Sequence, residues 1–133
     1  MIMIKNRIPP GSNGEGYWMR RTCRAIGWII AFAIVILSVV PPSHRPMTPA
    51  PHNGEHFAIY LAVGIAFAVG YRDRLPIVMM SLLFFCGLIE ISQLFVPGRH
   101  ARLSDFLIDT AAAWVGVGVV FVAGKWGLSR TFG

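Results

Sequence analysis

The sequence predicts an all-α integral membrane protein, folded as a four-helix bundle with short loops and both termini in the cytoplasm. Composition is the first observation: 55 % of the 133 residues are hydrophobic and only 14 % are charged, whereas soluble domains carry about 25 % charged residues. The second observation is that the apolar residues concentrate in four runs. Such runs form helices in lipid, because lipid offers no hydrogen-bond partner to bare backbone groups. The composition excludes a disordered chain, and the length allows one domain.

The first apolar run covers residues 25–40. It follows a polar segment, 1–24, whose glycines and prolines predict a flexible basic cytoplasmic tail. The stretch 41–55 holds five prolines and is predicted to be a non-helical linker. A cleavable signal peptide is the alternative interpretation of the first run. It fits less well, because the preceding segment is long and no clear small-residue cleavage site follows.

The other predicted helices span 56–71, 75–96 and 105–124, and a short cytoplasmic tail at 125–133 follows them. Together the four helices form one transmembrane domain over 25–124. A membrane-spanning helix needs about 20 residues, a length that the last two helices reach and the first two approach. Pro76 fits the first turn of a helix, and Ser104 or Asp105 is the predicted N-cap of the last helix.

The basic residues predict the orientation of the bundle. If successive segments alternate sides, nine of the 12 Lys and Arg residues lie on the side of the termini. An excess of Lys and Arg is typical of cytoplasmic segments, so both termini are predicted to lie in the cytoplasm. The three basic residues on the outer side are Arg45, Arg99 and Arg102.

Small residues recur at every fourth position on two of the predicted helices. The second helix carries Ala58, Ala62, Ala66 and Gly70, and the fourth carries Ala112 and Gly116. Small residues let membrane helices approach closely, so these two stripes predict close packing inside the bundle. The same stripes are also a candidate surface for a homo-oligomer.

Polar and ionisable residues are predicted to meet at the outer end of three helices. This polar cluster consists of His56, Tyr60, Glu90, Gln93, Arg99, Ser104, Asp105 and Asp109. A carboxylate inside a membrane helix costs about 2.5 to 3.5 kcal/mol on insertion scales. The buried acids therefore need partners or contact with water, and residues of this kind are candidates for function.

The predicted cationic partner of Glu90 is Arg99, followed by His56. One of the two aspartates is predicted to pair with Arg102 or His56. Two interpretations of the cluster stay open: acid–base pairs that lock the helix register, and a pocket that binds a ligand. If the cluster is a pocket, binding is favoured over catalysis, because no Ser, Cys or Thr nucleophile is evident beside a base.

The same residues carry a resemblance to the VanZ-like family of membrane proteins. His56 followed by Tyr60 opens the second predicted helix, and Glu90 with Gln93 forms a Glu-x-x-Gln motif. A Pro97-Gly98-Arg99 turn and the pair Ser104-Asp105 complete a pattern that covers about Asn53 to Gly118. Asp109 departs from it, since the family usually has Asn there. The resemblance implies a small multi-pass protein of the bacterial envelope, located in the bacterial cytoplasmic (inner) membrane.

The predicted function is binding of an anionic lipid head group or a lipid-linked envelope precursor. Arginine suits such a ligand because its planar guanidinium matches phosphate and carboxylate, and the cluster opens at the membrane surface. The alternative is a non-catalytic membrane assembly or interaction protein in which the cluster is a structural lock. The lipid bilayer is the expected partner, and nucleic acid is not, since the basic residues lie between apolar spans.

Neither a cofactor nor a metal is expected. The string His52-Asn53-Gly54-Glu55-His56 matches the H-x-x-E-H motif of zinc proteases. That motif needs a helix to place both histidines on one face, and Pro51 and Gly54 oppose a helix there. A metalloprotease is therefore the least favoured of the functions considered.

Overall fold

The computed structural model describes the backbone of residues 12–41, 52–98 and 101–131. Over these ranges the chain forms four α-helices: α1 at Ser12–Val39, α2 at His52–Gly70, α3 at Leu75–Gln93 and α4 at Leu103–Thr131. A 3₁₀ turn at Arg72–Arg74 joins α2 to α3. The prediction of an all-α protein with four helices is confirmed.

Three segments are long and apolar enough to cross a membrane. They are Gly16–Val39, Arg72–Gln93 and Leu103–Trp126, with 24, 22 and 24 residues. The apolar part of α2 is shorter and covers Gly54–Gly70. Many large hydrophobic side chains on these helices are exposed on the isolated chain, as expected of helices that lipid surrounds. The protein is a multi-pass integral membrane protein.

Helix α2 makes its largest contact with α4 and a second large contact with α1, while α3 packs beside α4. Helices α2 and α4 begin at the end of the bundle where α1 and α3 finish. We call this the polar end. Its polar side chains include Glu55, His56, Tyr60, Glu90, Gln93, Arg102, Ser104, Asp105, Asp109 and Thr110. We call the opposite end the basic end; its charged side chains are Arg20, Arg21, Arg24, Arg72, Asp73, Arg74 and Lys125.

Two helices begin earlier than the sequence predicts. Helix α1 starts at Ser12, so the prediction of a flexible tail is wrong for residues 12–24. Glycine weakens a helix by about 1 kcal/mol relative to alanine, which is too little to end one. Helix α2 starts at His52, so the predicted linker is also wrong for its last four residues. The prolines of that linker precede the helix, where a missing N–H removes no intrahelical hydrogen bond.

Helix α3 begins and ends close to the predicted positions. Pro76 lies in its first turn, as predicted. After Gln93 the chain continues in a tighter turn, in which the amide of Val96 donates to the carbonyl of Gln93 at 3.2 Å. Gly98 follows with a φ of 80°, a left-handed conformation that glycine adopts at little cost. The Pro97-Gly98 pair therefore ends this segment, as its sequence suggests.

Side chains of α1 hold the turn between α2 and α3 at the basic end. Arg24 Nε donates to the carbonyl of Gly70 at 2.7 Å, and its guanidinium lies 4.7 Å from the centre of the Tyr71 ring. Arg20 pairs with Asp73 at 2.7 Å, and Trp28 Nε1 donates to the Tyr71 hydroxyl at 3.3 Å. These contacts explain why α1 is helical through Arg20 and Arg24, although the sequence predicts a flexible tail there.

We expect Arg24→Gln to lower the free energy of unfolding by about 1.5 to 3 kcal/mol, the usual contribution of a hydrogen bond from a charged group. Arg21→Gln is the matched control, because Arg21 is exposed and lies over the ring of Trp18 in its own helix. The control is expected to change stability by less than about 0.5 kcal/mol. Unfolding in mixed micelles measures both values, and equal losses would contradict the role given to Arg24.

Two glycines, Gly64 and Gly116, create the close approach of α2 and α4. A Cβ added to Gly64 would overlap the backbone carbonyl of Ala113, and one added to Gly116 would lie 2.6 Å from the carbonyl oxygen of Leu61. The predicted packed face of α4, which includes Ala112 and Gly116, is therefore confirmed.

The predicted stripe on α2 is only partly correct, because Ala58 and Ala62 are exposed while Ala66 and Gly70 are buried. Four residues exceed one helical turn by about 40°. A stripe of every fourth residue thus winds around the helix, and it reaches the packed face only toward Gly70. Gly64, outside that stripe, makes the contact with α4 instead.

Candidate functional site

The candidate site lies at the polar end, where the first turns of α2 and α4 meet the last turns of α3. Its central side chains are buried: Tyr60 and Asp109 are each 1 % exposed, and Glu90 is 7 % exposed. Glu90 belongs to the packed face of α3, which also includes Val78, Leu82, Cys86, Ile89 and Gln93. The polar residues therefore extend the apolar core toward one end of the bundle.

The first contact in the site joins α2 to α4. His56 Nδ1 lies 3.3 Å from Asp109 Oδ1 and 3.4 Å from Asp109 Oδ2. The His56 ring also stacks on the ring of Tyr60, with 6.3 Å between their centres. His56 was one of two cations predicted to pair with an aspartate, and the structure selects Asp109 as its partner.

The second contact joins α3 to the start of α4. Glu90 Oε1 accepts a hydrogen bond of 2.6 Å from the backbone N–H of Arg102. The sequence predicts Arg99 and then His56 as the partner of Glu90. Arg99 lies outside the described residues, and His56 pairs with Asp109 instead. A backbone donor was missed because every residue except proline carries one, so the sequence pattern contains no signal for it.

Three buried polar atoms have no hydrogen-bond partner within the described part of the chain. They are Tyr60 Oη on α2, Glu90 Oε2 on α3 and Thr110 Oγ1 on α4. The Tyr60 hydroxyl lies near the Asp109 carboxylate and the Thr110 hydroxyl near the Cys86 thiol, but neither pair reaches the geometry of a hydrogen bond. Each buried polar atom without a partner costs about 1 to 3 kcal/mol, so these three atoms are positions where an additional hydrogen bond would be stabilising.

Thr110 was not among the predicted residues, although it is 8 % exposed. The sequence does contain a feature that could have identified Thr110 as a site residue. It is a hydroxyl residue directly after Asp109 in an otherwise apolar helix. Threonine often hydrogen-bonds between neighbouring membrane helices. A threonine in such a helix is therefore weak evidence for a functional site.

The remaining predicted residues lie around this centre. Gln93 is buried at the end of α3, while Ser104 is exposed and its hydroxyl donates to Asp105 Oδ1 at 3.1 Å. Neither Ser104 nor Asp105 is the N-cap, because α4 begins at Leu103 and the carbonyl of Arg102 accepts the amides of Asp105 and Phe106. The early start follows from Glu90, which holds the backbone of Arg102 just before the first turn.

The H-x-x-E-H string lies in a helix after all, because α2 begins at His52. The argument that Pro51 and Gly54 oppose a helix there is therefore wrong. The His52 side chain is outside the described residues, and His56 contacts Asp109 through Nδ1. Among the side chains that the structure describes, no group of three or more His, Cys, Asp or Glu residues is placed to hold a metal ion.

The site thus combines one carboxylate oxygen and two hydroxyls in the interior with an exposed arginine, Arg102, at its rim. The interior atoms can accept hydrogen bonds at all three positions and donate from the two hydroxyls. The guanidinium at the rim suits a phosphate or a carboxylate. This arrangement fits a ligand with one anionic group and several hydroxyl or amide groups.

Comparison with known proteins supports the resemblance that the motifs indicate. The family model described as VanZ/LLP1 matches residues 44–124, a range that contains every residue of the predicted polar cluster. Comparison with curated proteins and with solved structures gave no match. The matched range covers more than half of the chain and three of the four helices completely or nearly so. The chain therefore belongs to the VanZ/LLP1 family and is one of its multi-pass membrane proteins.

Proposed function

We propose that this protein binds the anionic head group of a lipid, or of a lipid-linked envelope precursor, at its polar end. The observation that carries the proposal is the set of unpartnered buried atoms on Tyr60, Glu90 and Thr110. If the cluster only locked the helices together, its buried polar groups would be expected to hydrogen-bond to one another, because an unpartnered group in a low-dielectric interior is costly. A ligand that hydrogen-bonds to these atoms removes the cost when it binds.

The charges divide the proposed ligand into two parts. Glu90, Asp105 and Asp109 make the described interior acidic, and Asp105 and Asp109 lie within electrostatic reach of Glu90. An anionic group is repelled from this interior, so its place is at the rim, beside the exposed guanidinium of Arg102. The hydroxyl or amide groups of the head group then face Glu90 and Tyr60. Arg99, outside the described residues, is the second proposed cation of the rim.

We further propose that the polar end faces outward from the bacterial cytoplasmic membrane. At the basic end lie Arg20, Arg21, Arg24, Arg72, Arg74 and Lys125, whereas Arg102 is the described arginine of the polar end. Lys and Arg accumulate on the cytoplasmic side of membrane proteins. Cysteine labelling from outside the cell at Ser104, which is exposed, tests this orientation, and labelling only after the membrane is opened would contradict it.

Tyr60→Phe and Thr110→Val test the proposed pocket directly. Each change removes an unpartnered buried hydroxyl and keeps most of the side-chain volume, so we expect unchanged or slightly raised stability. Binding of a polyprenyl phosphate, measured by native mass spectrometry from detergent, is expected to weaken about fivefold to tenfold per lost hydrogen bond. Ser104→Ala is the control, since its hydroxyl bonds to Asp105 at the surface, and both properties should stay unchanged.

A specific observation also favours a second function, a structural lock in a membrane assembly protein. Both the His56–Asp109 contact and the Glu90–Arg102 hydrogen bond are satisfied within the chain. Ala58 and Ala62 remain exposed on α2 and are the surface that a second copy would contact under this alternative. If Tyr60→Phe and Thr110→Val keep full binding or show no binding to lose, the lock becomes the better explanation.

A further inference from the structure

An apolar cavity lies toward the basic end of the bundle, on the side formed by α1, α2 and α3. Its volume is about 360 Å³, within the range of about 300 to 1,000 Å³ that is usual for small-molecule pockets. Its walls include Trp28, Phe67, Ile77 and Phe85. Trp28 and Ile77 are 62 % and 61 % exposed on the isolated chain, so this groove opens sideways, toward the lipid.

A second cavity of about 350 Å³ lies at the basic end, lined by Arg24, Tyr71, Asp73 and Arg74. Tyr71 and Arg74 also line the apolar groove. The two cavities are therefore neighbours across the same two side chains. One is apolar and lies along the membrane span, and the other is charged and lies at the end of the bundle. A phospholipid needs such a pair of cavities, an apolar one for its acyl chain and a charged one for its head group.

Other contacts determine which charges of this second cavity are available. Asp73 pairs with Arg20 at 2.7 Å, and Arg24 donates to the Gly70 carbonyl and lies over the Tyr71 ring. The Arg74 side chain is exposed, and within the described part of the chain it forms no ion pair. Arg74 is thus a cation at the mouth of an apolar groove. A ligand that matches both features carries an anionic group on an apolar chain.

We propose that this groove binds one anionic phospholipid, with an acyl chain along Trp28 and Phe67 and the phosphate beside Arg74. The proposal is independent of the ligand at the polar end, because it concerns other residues at the opposite end of the bundle. It assigns Arg74 a role beyond membrane orientation, namely the selection of an anionic head group over a zwitterionic one. A juxtamembrane arginine favours anionic lipid by an amount that corresponds to about a fivefold preference.

Trp28 provides the readout, since it lines the groove. In a variant with Trp18, Trp114 and Trp126 replaced by Phe, Trp28 is the remaining tryptophan of the chain. This protein is reconstituted into phosphatidylcholine bilayers that contain a small fraction of lipid with brominated acyl chains, which quench tryptophan fluorescence on contact. We expect brominated phosphatidylglycerol to quench Trp28 more strongly than brominated phosphatidylcholine at the same mole fraction, with an apparent affinity about fivefold higher.

Two substitutions separate the site from a general attraction to anionic lipid. Arg74→Gln is expected to abolish the preference for phosphatidylglycerol. Arg21→Gln, the matched control at the same end, should retain it, because Arg21 lines neither cavity. Ser81→Phe fills the groove from its wall and is expected to reduce quenching by both lipids. Circular dichroism spectra confirm that each variant is folded before the comparison is made.

Two results would overturn the proposal. Equal quenching by the two brominated lipids in the parent protein would mean that the groove does not select the head group. Loss of the preference in Arg21→Gln to the same extent as in Arg74→Gln would mean that the whole basic end attracts lipid without a defined site. Neither result bears on the polar end, whose variants Tyr60→Phe and Thr110→Val are measured separately.

Discussion

Gly64→Ala and Gly116→Ala are expected to destabilise the bundle by about 1 to 3 kcal/mol each, the usual cost of forcing extra volume into a packed interior. In both cases the added methyl group meets backbone atoms of the facing helix, the Ala113 carbonyl or the Leu61 carbonyl. Backbone atoms cannot rotate away as a side chain can. Helices α2 and α4 must therefore move apart, and their contact is the largest in the bundle.

Gly118→Ala is the matched control for this prediction. Gly118 lies two residues from Gly116 on the same helix, and a Cβ at that position would meet no atom within 4 Å. Alanine is a better helix former than glycine by about 1 kcal/mol, so the control should be as stable as the parent or more stable. Unfolding in mixed micelles gives the three values. Comparable stability of all three variants would show that α2 and α4 are not in close backbone contact.

The second large effect is expected for His56→Ala. Asp109 is 1 % exposed, and the substitution removes the ring that contacts both of its carboxylate oxygens. Breaking a buried pair by removing one partner costs about 3 to 5 kcal/mol, because the other partner stays buried and uncompensated. His56→Gln should lose less stability, since its amide can still donate a hydrogen bond to Asp109.

A double substitution tests whether the two residues act on each other. His56→Ala with Asp109→Asn replaces the buried carboxylate by a neutral amide, so we expect the double variant to recover part of the stability lost in His56→Ala. Residues in direct contact show coupling energies of about 0.5 to 3 kcal/mol in such cycles. Strictly additive losses would mean that His56 and Asp109 are stabilised by separate neighbours. The free energy of unfolding of all four proteins is the quantity to measure.

The proposed pocket and the structural lock respond differently to these substitutions. Changes at His56 and Asp109 act on contacts made within the chain, so they affect stability under either function. Changes at Tyr60 and Thr110 remove hydroxyls that make no hydrogen bond within the described residues. Substitutions at Tyr60 and Thr110 can therefore change ligand binding without changing stability. They are the more informative test of function.

Much of the fold follows from the sequence by itself. Apolar runs and low charge predict four helices, because lipid offers no partner to bare backbone groups, and three of the four helical segments are long and apolar enough to cross a membrane. Pro76 fits the first turn of α3, and the Pro97-Gly98 pair ends the turn that follows α3, for conformational reasons that need no partner. The positions of Glu90 and Asp109 in apolar helices also predict that both are buried with partners, because an isolated carboxylate there is too costly.

Tertiary structure alone decided which groups meet. The approach of Gly64 to Gly116 depends on the relative rotation and height of two helices, which a stripe of small residues on one helix does not specify. The partner of Glu90 is a backbone amide, a group that every residue other than proline offers. The unpartnered hydroxyls of Tyr60 and Thr110 are recognised only once their neighbours are placed. Composition and periodicity predict the structure of each segment. The register between segments is determined by how the helices pack.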